Sequence, residues 1–420
     1  MSSPPPPSER IIIFGATGKI GTYITSAIAS ASPPFARVAI YTSPGTVKAK
    51  AAHIAALKER GVEVLVGELT DEERVREVLG KDSHHDFDTL VSCLGRSILS
   101  QQTTLLRLAA SRSSSIRRVF PSEYGTDVLH PVTPDPHAEP PHRFKLEARA
   151  LLEGLAAGGD GGDGDGEGEK KAGGGGGHGQ QRLRSLSYTY LVTGPYADMY
   201  VGMTGRDLVT RDAEQAWDRA GGFDVRRRRA TLLCQTSPSP SSSSSSDDND
   251  DNDVNDDGTD NGKDDVADDR IALTGMRDVG RFLVASLRLP GATHNRALRV
   301  HSFVTSPREI LREFRRQLNI TNANDKNTAN NDNTTPWTVR HVDLAELQAR
   351  ERRAYERGDP EKGLFSVRRI WTSGGTLYEG QGGRDNEVLG DVQRETLEGV
   401  VREEVGRQMG GEGDGEGKVG

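Results

Sequence analysis

Three glycines near the amino terminus have a spacing that could hold a phosphate group. Gly15, Gly18 and Gly21 follow the apolar run Ile11–Phe14 and precede a stretch with a helical pattern. The first glycine permits a tight turn, the second lets the backbone approach a pyrophosphate, and the third lets the helix pack on the strand. The amino terminus of the helix then faces the phosphates. An ordinary strand-to-helix turn is the alternative, but the strand, turn and helix together favour a dinucleotide site.

The end of the second predicted strand indicates which dinucleotide is bound. An NAD site usually places an acidic residue there, on the ribose 2′-hydroxyl. Here Tyr41 is followed by Thr42 and other small or hydroxyl-bearing residues, and then by Lys48 and Lys50. Cations in the absence of a carboxylate favour the 2′-phosphate of NADP. The alternative is that both lysines lie on a solvated helix face and take no part in this choice.

Short apolar stretches alternate with helical patterns over the first 150 residues. Strands are predicted at Ile11–Phe14, Val38–Tyr41, Val62–Val66, Thr89–Ser92 and Arg118–Pro121. Helices are predicted between them at Gly21–Ser30, Thr46–Arg60, Glu72–Leu79 and Gln101–Ser111. This alternation is typical of a buried parallel sheet covered on both faces. The expected fold is therefore α/β, a Rossmann-type doubly wound parallel sheet with a smaller carboxyl-terminal substrate-capping region.

Three low-complexity segments interrupt the regular sequence. They are glycine-rich, serine- and aspartate-rich, and asparagine-rich, and such compositions bury little apolar surface. We expect disordered inserts at residues 154–180, 237–269 and 321–335. Loop expansions of this kind are tolerated because loop-closure entropy grows slowly with length. The expected organisation is a dinucleotide-binding domain at residues 9–200, a smaller substrate-binding region at 201–408 and a disordered tail at 409–420.

The charge of the chain is unevenly distributed. The net charge is −8, but residues 237–269 alone carry twelve aspartates and one lysine. Outside the two acidic inserts, 154–180 and 237–269, the remaining chain carries a charge of +6. A mildly basic folded part suits a small anionic ligand and is too weakly charged for direct nucleic-acid binding.

The composition also indicates a compartment. Two cysteines, Cys93 and Cys234, do not suggest a disulfide framework, so we expect a reducing environment. The start of the chain lacks a signal-peptide pattern, and no apolar run approaches the ~18 residues of a membrane helix. The expected location is the cytoplasm, without membrane association.

Several motifs occur in one order along the first 200 residues. They read GATGKIG, GVEVLVGELTD, LVSCLG, RVFPSEYGTD, RFKLEARALLE and SYTYLVTGPYADMY. In this order they resemble the NmrA-like and isoflavone reductase-like family, which are atypical short-chain dehydrogenases. A later stretch, ALTGMRDVGRFLVASL, matches more loosely, and the three inserts depart from the family pattern.

The resemblance implies a set of cofactor-binding residues. In the glycine turn these are Gly15, Thr17, Gly18, Lys19, Ile20 and Gly21. Glu68 and Leu69 would border the adenine. Ser92, Cys93, Leu94 and Gly95 would line the cofactor after the fourth strand, and Pro121, Ser122, Glu123, Tyr124 and Gly125 would lie beside the nicotinamide.

Lys145 matches the lysine to which the reductase branch of the family assigns catalysis. Ordinary short-chain dehydrogenases pair a tyrosine with a lysine four residues later, and none of the nine tyrosines here has such a partner. A lysine partly desolvated beside a cofactor has its pKa lowered from ~10.4 and can exchange protons. The alternative is a surface lysine paired with Glu147 or Glu153.

Two functions follow from the resemblance. Plant enzymes of the family reduce phenylpropanoid-type substrates with NADPH, whereas a regulatory branch binds the dinucleotide as a redox sensor and contacts transcription factors. Because Lys145 is not a dependable feature of the sensors, we expect an NADPH-dependent reductase that acts on a small aromatic or enone-like substrate. The alternative is a sensor that regulates a protein partner without turnover.

Other candidate residues have plainer interpretations. Cys93 could be a redox-sensitive thiol, but such a residue is more often a small buried hydrophobe. Arg226–Arg229 could be a nuclear import signal, although the surrounding sequence reads as a loop leading into strands. The histidine pairs His84, His85 and His137, His142 fall in predicted loops without metal-ligand spacing, so no metal site is expected.

Overall fold

The computed structural model describes most of the sequence outside the low-complexity segments. The described residues are 9–131, 140–157, 183–202, 222–236, 269–324, 336–359, 362–378 and 385–410. Most of the three predicted inserts and of the predicted tail therefore lie outside the described residues. One end of each insert is described: residue 269, which is not in a helix or strand, and residues 154–157 and 321–324, which continue the helices that precede them. At residues 154–157 and 321–324 the preceding helix therefore continues into the predicted insert.

A seven-stranded parallel sheet forms the centre of the first part of the chain. Its strands lie in the order β10, β6, β5, β4, β1, β2, β3. Their bounds are β1 Arg10–Phe14, β2 Arg37–Thr42, β3 Glu63–Val66, β4 Thr89–Ser92, β5 Arg118–Phe120, β6 Ser187–Val192 and β10 Arg296–Arg299. Every neighbouring pair is parallel. The carboxyl ends of all seven strands therefore lie at one edge, and the strand order reverses between β1 and β4, where ligands bind in open α/β sheets.

Helices cover both faces of this sheet. Those of the first part are α1 Lys19–Ala29, α2 Pro44–Ala49, α3 Ala51–Glu59, α4 Glu72–Leu79, α5 Gln102–Ala109, α6 Pro140–Ala157, α7 Ala197–Val201, α8 Met276–Arg288 and α9 Pro290–Thr293. Alternate residues of β1 belong to two separate cores, with Ile12 and Phe14 on one face and Ile11 and Ile13 on the other. Such alternation buries both faces of a central strand, and the predicted doubly wound α/β fold is confirmed.

One predicted helix is two helices in the structure. The stretch Thr46–Arg60 divides at Lys50, whose backbone (φ −122°, ψ 38°) is not helical. Ser43 starts α2 early because its hydroxyl accepts a hydrogen bond from the amide of Thr46, with Pro44 in the first turn. The side chain of Lys50 turns back to the carbonyl of Thr17 in the glycine turn.

The chain divides into two compact units, and each is made of several segments. The first comprises residues 1–200, 272–304 and 375–400, and the second comprises 201–271, 305–374 and 401–420. The predicted division at residue 200 marks one boundary but misses the later segments of the first unit. Strand β10 pairs with β6, and α8 packs on α1, where Gly280 lies so close that an added Cβ would be 2.7 Å from the carbonyl of Tyr23. These contacts join residues far apart in the sequence.

The second unit contains a small mixed sheet and several helices. Strands β7 Gly222–Asp224 and β8 Arg229–Cys234 are antiparallel, and β12 Thr338–Asp343 pairs with β8 in parallel. The second unit also contains α10 Pro307–Asn324, α11 Leu344–Glu356 and α12 Lys362–Thr372. Three further elements include residues of both units: β9 Ile271–Leu273, β11 Phe303–Thr305 and α13 Leu397–Met409. Leu233, Val342 and Leu347 form the centre of a small core in this unit. Within the described ranges, no helix is long and apolar enough to cross a membrane.

Candidate active site

The glycine turn after β1 is shaped by close backbone packing. Gly15 has φ +76°, and an added Cβ would lie 2.5 Å from the carbonyl oxygen of Cys93. At Gly21 an added Cβ would lie 2.1 Å from the carbonyl oxygen of Gly15, so both positions require glycine. Gly18 precedes the first residue of α1 and has no side chain to cap the amides of the first turn. A phosphate fits this arrangement, since the amides of a helix amino terminus need an acceptor.

The predicted lysines have different positions relative to this turn. Lys48 and Lys50 are both exposed, but Lys50 also donates a hydrogen bond to the carbonyl of Thr17, which places its amine at the turn. Lys19, at the start of α1, is also exposed, and its Nζ lies 3.6 Å from the sulfur of Met199. Thr42 is the last residue of β2 and is buried. The structure thus brings Lys50, rather than Lys48, to the proposed phosphate site.

The other predicted cofactor residues follow the ends of adjacent strands. Glu68 and Leu69 come after β3, and the hydroxyl of Tyr41 donates to the carbonyl of Glu68 at 3.1 Å. Cys93, Leu94 and Gly95 follow β4, and Pro121 to Gly125 follow β5. Because β5, β4, β1, β2 and β3 are consecutive in the sheet, all of these residues lie along one edge.

Gln102, which the sequence did not single out, joins the ends of β4 and β5. Its carboxamide oxygen accepts hydrogen bonds from the hydroxyl of Ser92 at 3.0 Å and from the amide of Ser122 at 2.6 Å. The hydroxyl of Ser122 donates to the carbonyl of Leu94 at 3.0 Å. Gln102 is fully buried in α5. Its hydrogen bonds therefore hold together the two loops that carry the predicted nicotinamide residues.

Cys93 and Tyr124 are buried next to each other between these strand ends. Burial raises the pKa of the Cys93 thiol well above its ordinary value, and the Tyr124 hydroxyl lowers it only slightly. Burial also raises the pKa of Tyr124, and the hydroxyl of Tyr196 donates to the carbonyl of Tyr124 at 2.8 Å. A thiol held in its protonated form is a poor nucleophile, which favours the interpretation of Cys93 as a buried hydrophobe.

Lys145 lies in α6, and its amine is held by the loop after β5. Nζ donates to the carbonyl oxygens of Glu123 at 3.2 Å and of Thr126 at 3.4 Å. The residue is 8% exposed, and burial lowers the pKa of its amine, while the nearby Glu123 carboxylate raises it. Lys145 is not the surface lysine of the alternative interpretation, because Glu147 lies near Arg143 at 3.8 Å and Glu153 accepts from Tyr190 at 3.2 Å.

A buried network of charged side chains adjoins Lys145. Arg149, one helical turn after Lys145, donates from Nε to Glu123 Oε1 at 3.1 Å and from Nη2 to Glu123 Oε2 at 2.8 Å. Asp127 lies 3.7 Å from Arg149 and accepts from Arg299 Nε at 2.9 Å. Burial would raise the pKa of Asp127, but the amide of Leu129 and the two arginines together lower it.

The far end of the network holds an aromatic residue from late in the chain. The ring of Tyr378 lies 5.4 Å from the guanidinium of Arg299 and 5.4 Å from the ring of His130. Its hydroxyl is buried and has no hydrogen-bond partner among the described residues. Of this network only Arg149 carries a sequence signal, the four-residue spacing from Lys145 on one helix, since Arg299 and Tyr378 come from distant segments.

The remaining candidates lie apart from these strand ends or take no part there. Arg226–Arg229 spans the turn of the β7–β8 hairpin and the first residue of β8, as the loop interpretation predicts. The prediction that His142 lies in a loop is wrong, because the residue is part of α6. Burial lowers the pKa of its imidazole to about 3. His137 lies outside the described residues.

Comparison with known proteins finds a family likeness in the first part of the chain. Residues 7–155 match the model of the NmrA-like family. The predicted resemblance is confirmed. The NmrA-like segment covers both the glycine turn and Lys145, so the site described above falls within it.

Curated relatives match over about a third of the chain. An isoflavone reductase-like protein of Olea europaea is 33% identical over 147 residues, which is 34% of this chain and 44% of the relative. Phenylcoumaran benzylic ether reductase 1 of Arabidopsis thaliana is 31% identical over 145 residues, again 34% of this chain and 44% of the relative. The match thus spans less than half the length of these relatives.

Solved structures extend the likeness to most of the chain. Leucoanthocyanidin reductase of Vitis vinifera, in its complex with NADPH, has a TM-score of 0.60 and 16% sequence identity. The alignment covers 94% of this chain and 99% of that one. At this identity the likeness establishes the fold.

Proposed function

We propose that the protein is an NADPH-dependent reductase that transfers hydride to a small aromatic or enone-like substrate, with Lys145 exchanging the accompanying proton. The observation that carries this proposal is the position of the buried amine of Lys145, which is held by the loop after β5. Strand β5 lies next to β4, and β4 lies next to β1, the strand that leads into the glycine turn. An amine with a lowered pKa at the edge of a dinucleotide site is suited to proton transfer near neutral pH.

The chain offers a site for each part of the dinucleotide. The glycine turn would receive the pyrophosphate at the amino terminus of α1. Lys50, held over that turn by Thr17, and the absence of a carboxylate after Tyr41 support recognition of the 2′-phosphate. The residues after β4 and β5 would line the nicotinamide end, where Gln102 fixes the two loops together.

Lys145 would complete the reduction. NADPH, when bound, supplies the hydride. Lys145 donates a proton to the substrate atom that gains electron density, and the neutral amine then regains a proton from water. The carbonyl oxygens of Glu123 and Thr126 keep the amine directed at this edge of the sheet throughout.

Apolar side chains near the same strand ends favour an aromatic substrate. Ile98 follows β4 and is 39% exposed, and Leu129 follows β5 and is 58% exposed. Exposed apolar side chains beside a polar site are typical of ligand contacts. The names of the curated relatives, an isoflavone reductase-like protein and a phenylcoumaran benzylic ether reductase, agree with a phenylpropanoid-type substrate. Cys93 and Cys234 are both unpaired and buried, which suits the proposed cytoplasmic location.

The proposal is tested with purified protein, NADPH and a panel of phenylpropanoids, by following the loss of NADPH absorbance. We expect oxidation of NADPH with at least one member of the panel and formation of the reduced product. Tight binding of NADPH without turnover of any member, together with a dinucleotide-dependent affinity for a protein partner, would establish the sensor function instead.

A further inference from the structure

The carboxylate of Glu123 is fully buried, and both of its oxygens are occupied by one arginine. Arg149 makes a two-point contact at 3.1 and 2.8 Å, whereas Lys145 Nζ lies 4.0 Å from the nearer carboxylate oxygen. A bidentate arginine is the stronger partner for a carboxylate, since its planar fork matches both oxygens. The Glu123 carboxylate thus acts on Lys145 as a charge at 4.0 Å, without a hydrogen bond from the amine to it.

The amine of Lys145 has correspondingly few acceptors. Among the described residues, two backbone carbonyls accept its hydrogen bonds, one fewer than the three N–H groups of an ammonium. The buried network around it contains two carboxylates, Glu123 and Asp127, and two guanidiniums, Arg149 and Arg299. These charges balance without a contribution from Lys145.

The other titratable and charged groups near the amine do not favour its protonation. His142 lies on the preceding turn of α6, and burial keeps its pKa low and its ring neutral near pH 7. Arg96, on the loop after β4, adds a positive charge. The attraction of Glu123 and Asp127 is therefore opposed by Arg149, Arg96 and the burial of the amine itself.

We propose that Arg149 is a positioning residue that occupies both oxygens of Glu123, prevents a full ion pair between Glu123 and Lys145, and so keeps the proton on Lys145 exchangeable near neutral pH. This inference rests on the proposed function, in which Lys145 transfers the proton. Without Arg149, Glu123 would be an unpaired buried carboxylate with Lys145 as its nearest cation, and the ammonium would be held permanently.

Two substitutions test this inference because they have opposite expected effects. Arg149→Met leaves Glu123 to pair with Lys145 and should raise the apparent pKa of Lys145 by about one unit or more. Glu123→Gln removes the attraction and leaves Arg149 with a single nearby carboxylate among the described residues, Asp127 at 3.7 Å, so it should lower the apparent pKa of Lys145 further. A purely structural role would not give shifts of opposite sign. Arg143→Met, on the exposed face of the same helix, is the matched control and should change nothing.

The pKa of Lys145 can be measured without turnover by competitive trace labelling of the full-length protein with acetic anhydride across a pH range. Mass spectrometry of the Lys145 peptide gives its titration, and the exposed Lys58 in the same sample is an internal standard. Where a substrate is known, the pH profile of kcat should move with the labelling result. Arg149→Lys keeps the positive charge but loses the two-point contact, so it should raise the apparent pKa of Lys145 by less than Arg149→Met does.

The possible results separate the inference from the proposed function. Opposite shifts in the two variants support the inference, even if no substrate is found and the reductase proposal fails. A native Lys145 that titrates as a free lysine, or variants that shift it in the same direction, would overturn the inference. If Arg149→Met does not fold, the downward shift in Glu123→Gln and the smaller upward shift in Arg149→Lys decide the question. An unshifted Glu123→Gln would overturn the inference.

Discussion

Gly15 and Cys93 pack backbone to backbone, so closely that a Cβ on Gly15 would lie 2.5 Å from the Cys93 carbonyl oxygen. This contact joins the ends of β1 and β4, the two strands between which the strand order reverses. The phosphate turn and the start of the nicotinamide loop are therefore held together by a contact that only glycine permits.

Gly15→Ala should consequently cost more stability than a change of backbone preference alone. Gly61 is the matched control, since its φ is +78° and an added Cβ would meet nothing within 4 Å. We expect Gly61→Ala to lower the free energy of unfolding by about 1 kcal/mol. Gly15→Ala should lower it by at least about 2 kcal/mol and weaken NADPH binding. Urea titrations measure the first effect and calorimetry the second; equal losses in the two variants would show that the contact with Cys93 is unimportant.

The position of Lys50 leads to a prediction about cofactor preference. NADPH should bind at least ~10-fold more tightly than NADH, about 1.4 kcal/mol, if one charge-assisted contact is made to the 2′-phosphate. Lys50→Met should remove most of this preference by weakening NADPH binding and leaving NADH binding unchanged. Lys48→Met, on the exposed face of α2, should have a smaller effect. Equal affinities of the native protein for the two dinucleotides in calorimetric titrations would contradict this prediction.

Much of this site could be predicted from the sequence because its signals are local. The strand, glycine turn and helix lie within 20 residues, and Lys145 stands within a recognisable stretch of α6. Residues that reach the site from elsewhere gave no such signal. Arg299, for example, contacts Asp127 across 172 positions. Lys50 was predicted from the missing carboxylate after Tyr41, but its contact with Thr17, 33 positions away, was not. Gln102 was missed for another reason. Residue type alone does not distinguish a buried glutamine that hydrogen-bonds two loops from a solvated glutamine.

The domain boundary illustrates the same limit at a larger scale. Composition predicts interruptions near residues 154–180 and 237–269, but it could not show that β10 returns to pair with β6. That pairing depends on the free edge of a strand about 100 residues earlier, and pairing across such a separation leaves no periodicity in a single sequence.

Glu395 makes the stability of the first unit depend on pH. One carboxylate oxygen accepts from Arg277 at 2.9 Å, and the other is buried without a hydrogen-bond partner among the described residues. Burial first, and then the charges of Asp198 and Asp278, raise the pKa of Glu395 to about 7. Because the pKa in the folded state lies above that of an unfolded glutamate, the fold takes up a proton between pH ~4 and pH 7. The contribution to stability is greatest below this window and is lost as the pH rises through it.

Glu395→Gln should remove this dependence. The melting temperature of the variant relative to the native protein should rise steadily from about pH 5 to about pH 8, since a neutral amide has no charge to bury. Glu59→Gln, which changes an exposed carboxylate on α3, should give a constant difference over the same range. A difference in melting temperature between the native protein and Glu395→Gln that stays constant with pH would contradict a raised pKa of Glu395.

The role of Lys145 in proton transfer is tested most directly by the turnover of Lys145→Ala with a substrate of the native enzyme. We predict that kcat falls by about 10²- to 10⁴-fold, the usual contribution of general acid–base catalysis, while the Kd for NADPH changes far less. Lys145→Arg should be nearly as inactive, because a guanidinium does not release its proton near neutral pH. Arg143→Ala, two residues earlier on the exposed face of α6, should turn over normally. A Lys145→Ala variant that binds NADPH and reduces the substrate at the native rate would contradict the proposal, since proton transfer would then occur through another group or through water.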